Sequence, residues 1–191
     1  MRVQSRSLLE RVARTIAQPR PSSPEYAASL LARVASAYSA QPVIDDAEGL
    51  GDFDAGAAAL FEAVVEAAFL IASCDGRFDD GERLAFESVV AEACDHTVPV
   101  QQLDALVHDL RKQLAEDGME KRTRTIGRAI RRRDHQIEVL RIAALIAHIS
   151  DGVSEHERSV LEQLARGFDL PAGSVNQALL QAEIALQGQA S

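Results

Sequence analysis

Two short acidic stretches carry the side chains with the most chemical potential. The first holds Asp75, Asp79, Asp80 and Glu82, the second Asp151, Glu155 and Glu157. Carboxylates about 7 Å apart repel by roughly 2 kcal/mol at an effective dielectric constant of about 20. A hard divalent cation would relieve that repulsion, and oxygen-only donors suit Ca²⁺, Mg²⁺ or Mn²⁺ better than Zn²⁺. The first stretch is not an EF-hand. Counted from Asp75, the sixth position is Asp80 where a glycine belongs, and the twelfth is Phe86 where a bidentate Glu belongs. The same residues also fit a structural role. Asp79 with Glu82, and Ser154 with Glu157, have the spacing of a capping box, each cap contributing on the order of 1 kcal/mol. Phe78 and Val153 would be the apolar staples before each cap. Gly76 and Gly152 suit the left-handed conformation that closes the preceding helix. On the residues alone, both readings stand.

Other chemistry is sparse. His148 lies three residues before Asp151 and His156 adjoins Glu157, but no histidine pair has metal-ligand spacing, so both read as ordinary helix residues. Cys74 and Cys94 are separated by about fifteen residues of expected helix, on the order of 22 Å, too far for a disulfide. Cys74 beside Asp75 could meet a soft oxyanion, or be buried at a helix end. No Ser/His/Asp arrangement, glycine-rich phosphate loop or paired catalytic acid is present, and no enzymatic activity is expected.

The elements that must position these acids all read as helices. Apolar periodicity predicts them at 5–18, 24–40, 55–74, 79–94, 99–115, 120–133, 135–149, 155–167 and 172–187, the second started by Ser23 and Pro24. Hairpin signals are missing, and the fold class is all-α. Residues 1–53 read as a helical extension and linker, and 54–191 as the main domain. Within that domain the pattern of apolar helix, Asp-Gly turn, apolar residue and new helix occurs twice, about 76 residues apart. Such a period fits a duplicated helical hairpin.

Composition bounds the rest. Of the 191 residues 47% are hydrophobic but only 4% aromatic, with no Trp, so the core must be packed from Ala, Leu, Val and Ile. No uninterrupted apolar run reaches the roughly 20 residues that span a bilayer, because Glu62 and Glu66 break the longest one. The N-terminus lacks a secretory apolar region, and two cysteines suggest a reduced, cytoplasmic protein. A net charge of −9 argues against general nucleic-acid binding. That charge is unevenly spread: residues 45–95 carry fourteen acids against two basic residues, and residues 111–133 nine basic against three acids. The basic stretch at 128–133 is either a docking surface or a solvated, ion-paired face. The Arg-rich helix at 5–18 could lie on an anionic membrane or pack on the bundle.

The paired turns Ser73-Cys74-Asp75-Gly76-Arg77-Phe78-Asp79-Asp80-Gly81-Glu82-Arg83 and Ile149-Ser150-Asp151-Gly152-Val153-Ser154-Glu155-His156-Glu157-Arg158 resemble those of the TerB-like tellurite-resistance family. So does the closing Gly167-Phe168-Asp169-Leu170-Pro171. The resemblance covers about residues 57–187. It implies a compact helical bundle with an internal pseudo-twofold and neighbouring acidic turns. It further implies a cytoplasmic role in stress and tellurite response, association with membrane-bound partners, and a divalent cation held by Asp75, Asp79, Glu82, Asp151 and Glu157, with Asp80 and Glu155 beside them. The chain departs from the family in a second turn one residue short, an unmatched first 50 residues and a heavier basic stretch. Two functions follow as expectations: a cation-binding stress-response protein acting through protein partners, or a metal-independent adaptor docking on a membrane-associated partner. The second places the protein at the inner membrane face. The sequence leaves the oligomeric state open.

Overall fold

The computed structural model describes residues 6–19, 28–40, 54–76, 78–149 and 152–188. These form nine helices and no strand: α1 (Arg6–Ala17), α2 (Leu30–Ser39), α3 (Ala55–Ala72), α4 (Asp80–Ala93), α5 (Val100–Asp117), α6 (Met119–Ala129), α7 (Arg133–Ala147), α8 (Glu155–Gly167) and α9 (Ser174–Gly188). The all-α expectation holds. Differences lie at the ends. Described helix α2 begins at Leu30, where the Ser29 hydroxyl accepts from the Ala32 N–H; the expected start at Ser23 and Pro24 falls outside the described residues. The helix expected over 120–133 stops at Ala129, because Ile130 has an extended backbone. The basic stretch therefore straddles a helix, a connection and the start of α7.

Helices α3 and α7 make the centre, packed against each other and with nearly every side chain over 63–71 and 138–147 buried. Their Ala, Val, Leu and Ile side chains let helices approach closely, as the ring-poor composition requires. Asp54 starts α3 by accepting from the Ala57 N–H at 2.9 Å. The start of α3 (Asp54, Gly56, Ala57) and His135 in the first turn of α7 line one cavity, so both central helices enter at the same end of the bundle. Among the described residues α3 alone is long and apolar enough to cross a membrane, and most of it is buried in the core. A core helix passes the same length and composition test.

Helix α2 lies along α3, where Tyr38 stacks on Phe61 with ring centroids 4.6 Å apart. Helix α1 packs on α4, α7 and α9. Its apolar stripe, Val12, Ala13 and Ile16, is within 1% of full burial. Of the two placements open to this helix, the structure has it on the bundle, so its apolar face is not offered to a bilayer.

Candidate cation site at the paired acidic turns

Helix α3 ends at Ala72 and is capped by Ser73, whose hydroxyl donates to the Phe69 carbonyl, and the chain reverses through Gly76 at φ +74°. Gly152 takes the equivalent place before α8 at φ +104°; with no Cβ, both avoid the steric cost of that region. Both capping boxes form. Asp79 Oδ1 accepts from the Glu82 N–H at 2.8 Å while Glu82 Oε2 accepts from the Asp79 N–H at 3.2 Å. Likewise Ser154 Oγ accepts from the Glu157 N–H at 3.2 Å and Glu157 Oε2 from the Ser154 N–H at 2.7 Å. Phe78 closes its turn edge-on to Phe69 and Phe86, with the Arg111 guanidinium 5.9 Å from its ring centroid.

The electrostatics link the two turns. Burial pushes the Cys74 thiol up to about 12, and the charges of Glu157 and Asp75 push in the same direction. Glu157, from the second turn, and Asp75, from the first, therefore act on one sulfur at the end of α3. Raised in this way, Cys74 stays protonated at neutral pH and offers a soft oxyanion no thiolate. Cys94 is also pushed up to about 12, by burial alone, and both cysteines are free thiols.

The other acids divide by exposure. Asp75, Asp79, Asp80 and Glu155 face solvent, Glu82 is half-buried and Glu157 is buried. Asp80 stands 3.9 Å from the Arg83 guanidinium, a weak competitor for any cation. Arg83 is itself anchored by Glu87 at 2.9 Å and Asp104 at 2.6 Å. Asp151 lies outside the described residues. Among those that are described, no three His, Cys, Asp or Glu side chains gather closely enough to hold a metal ion. The donors are oxygens of the right type for a hard cation, yet without Asp151 they do not close a site. His148 Nδ1 donates to the Ala144 carbonyl of its own helix at 2.8 Å, and His156 is exposed.

Three polar clusters went unread in the sequence. Glu66, buried in α3, meets Arg122 of α6, which also reaches Asp117; burial holds the Glu66 carboxyl above its ordinary value despite that partner. Glu87 is buried against Arg83. Arg141 is buried beside Glu138 and donates to the carbonyls of Thr15, Ile16 and Gln18. A Glu inside an otherwise apolar helix was the available signal for the first, since a buried charge demands a partner.

No curated protein and no solved structure matches the chain. The family model described as tellurite resistance protein TerB matches residues 61–180, a span that opens within α3, takes in both acidic turns and closes in α9. With that match over well more than half of its length, the chain belongs to the TerB family of tellurite resistance proteins.

Proposed function

We propose that this TerB-family chain works by binding rather than catalysis, as a stress-response protein whose paired acidic turns share a divalent cation. Asp75, Asp79 and Glu82 supply the first half of the donor set and Asp151 and Glu157 the second, with Asp80 and Glu155 at the edge. The ion stabilises the corner and sets the surface offered to a protein partner. The observation that carries this reading is the packing of α8 on α3, with the charges of Glu157 and Asp75, one from each turn, both raising the Cys74 thiol at the end of α3. Ca²⁺, Mg²⁺ and Mn²⁺ are the chemically fitting ions.

Thermal unfolding in the presence of each ion tests it. Binding to the folded state alone adds about 2.7 kcal/mol at a hundredfold excess over Kd, which raises Tm by roughly 5–10 °C for a chain of this size. The rise should vanish in the Asp75→Ala plus Asp151→Ala variant. No rise for wild type at millimolar ion would end the cation role. A metal-independent adaptor is then the reading in force. Its own support is that Asp79, Glu82 and Glu157 already receive backbone N–H groups in the capping boxes.

A further inference from the structure

Helices α7 and α9 leave an open groove of about 620 Å³ on the side of the bundle, far from the acidic turns in its chemistry and mostly apolar. Of the five large hydrophobic side chains exposed among the described residues, two line it, Ile137 on α7 (40% exposed) and Ile184 on α9 (59%), and a third, Leu180 (57%), lies on α9 beside it. Leu180 and Ile184 are one turn apart, so they share a stripe on the outer face of α9 next to the groove. An unpaired apolar surface gathered in this way marks an interaction site more often than scattered exposed residues do.

The charges at its edges identify the occupant. Arg133 begins α7 and lines one end of the groove; its Nη1 donates to the Phe168 and Asp169 carbonyls, just before α9. Among the described residues it has no carboxylate partner. Glu183, near the other end of α9, bonds only to the Gln187 amide of its own helix and likewise has no cation among the described residues. Because Arg133 pins the turn that leads into α9, α7 and α9 set out from the same end. A second α9 laid antiparallel in the groove would bring its Glu183 to the Arg133 end. By the two-fold axis, the reciprocal pair would form at the opposite end. Leu180 and Ile184 of each copy would fill the groove of the other.

We propose that this face joins two copies of the chain into an isologous dimer, with α7 and α9 of each protomer forming a four-helix contact. The surface is self-complementary: each protomer supplies an apolar stripe and a groove, and, among the described residues, a cation without a carboxylate and an anion without a cation, in the arrangement that a two-fold contact needs. Two helices per side make an interface at the small end of stable ones, around 1,200 Å² in total, so the dimer should dissociate on dilution.

Sedimentation velocity on the full chain, from about 1 µM to about 300 µM, spans the affinities of small interfaces. The expected result is a shift from the 20.6 kDa monomer to twice that mass with rising concentration. Ile184→Glu should hold the chain monomeric, with circular dichroism confirming an intact helical fold. Arg133→Glu and Glu183→Arg should each weaken the dimer at least tenfold, and the double swap should restore it. Restoration distinguishes a contact between copies from a loss of the Arg133 bonds to Phe168 and Asp169, which the swap does not repair. A chain that stays monomeric throughout overturns the proposal. So does a dimer that ignores Ile184→Glu, or single swaps whose effects merely add. A monomer that instead captures an amphipathic acidic peptide in the groove is also a refutation.

Discussion

At the residue scale, the acidic turns show how one carboxylate can serve a cap and still bear on a neighbouring site. Glu157 satisfies the Ser154 N–H with one oxygen, yet its charge reaches the Cys74 thiol on the end of α3. Burial first, and then the charges of Glu157 and Asp75, raise the thiol from an ordinary value of 9.0 to about 12. Three pH units leave roughly a thousandth of the thiolate, and the thiolate is the nucleophile. Cys74 in the folded chain should react with a disulfide reagent at pH 8 far more slowly than an unfolded cysteine does, by a factor on the order of a hundred or more. Titration of the thiol in a Cys94→Ala background measures it, and a rate like that of a free thiol would show that the sulfur is neither shielded by burial nor raised by the two acids. The linkage to stability has a definite sign. A thiol whose folded value is raised favours folding fully below its unfolded value, and that contribution is lost as pH climbs from about 9 towards 12. Cys74→Ala should therefore lose less stability than wild type on alkaline titration, while Cys94, raised by burial, keeps its share of the slope in both.

At the element scale, the crossing of α6 on α8 brings two backbones close together. A Cβ built on Gly127 would stand 2.6 Å from the Gly167 carbonyl oxygen, and backbone cannot swing aside as a flexible side chain does. Gly127→Ala gains roughly 1 kcal/mol of helix propensity but forces the two helices apart, a displacement that costs about 1–3 kcal/mol. The second effect should win, lowering Tm by several degrees in a thermal melt, whereas Gly188→Ala, with nothing within 4 Å, should lower it not at all. Equal effects of the two substitutions would mean that α6 and α8 do not touch at these glycines. The crossing was invisible in the sequence because a helix-internal glycine reports a close approach without saying to what. Other features of the elements were legible. Apolar spacing located each of the nine helices among the described residues, and Ser/Asp followed three residues later by Glu located both capping boxes, because caps and periodicity are local physics. Helix ends were misplaced where tertiary contacts decide them, as at Ile130, whose extended backbone divides α6 from α7. The acidic residues stood out in the sequence by their density. Their mutual placement depended on which helices pack together, and no local pattern encodes that.

At the scale of the whole molecule, the first helix is bound into the bundle by one buried cation. The last carbonyls of any α-helix lack partners within it, and those of Thr15 and Ile16, with Gln18 beyond the helix, receive Arg141 from α7. The same guanidinium holds Glu138 at 2.8 Å, so a single planar fork satisfies a helix end and a buried carboxylate together. The positive charge also lies at the negative pole of the α1 dipole, a favourable placement. Lysine cannot reproduce this. It keeps the charge beside Glu138 but has one nitrogen where four acceptors need a broad fork. Arg141→Lys should thus leave the central pair α3 and α7 folded while α1 opens from α4 and α9. Hydrogen exchange reads the difference: amides of α1 should exchange at least tenfold faster, an opening cheaper by about 1.4 kcal/mol, with α3 protection unchanged. Arg141→Ala is the harsher case, because it also takes the guanidinium away from the buried Glu138 carboxylate and should cost more than Arg141→Lys, up to about the 3–5 kcal/mol of breaking a buried pair. If α1 stays as protected in Arg141→Lys as in wild type, the apolar stripe of Val12, Ala13 and Ile16 holds that helix unaided. The buried arginine then serves Glu138 alone.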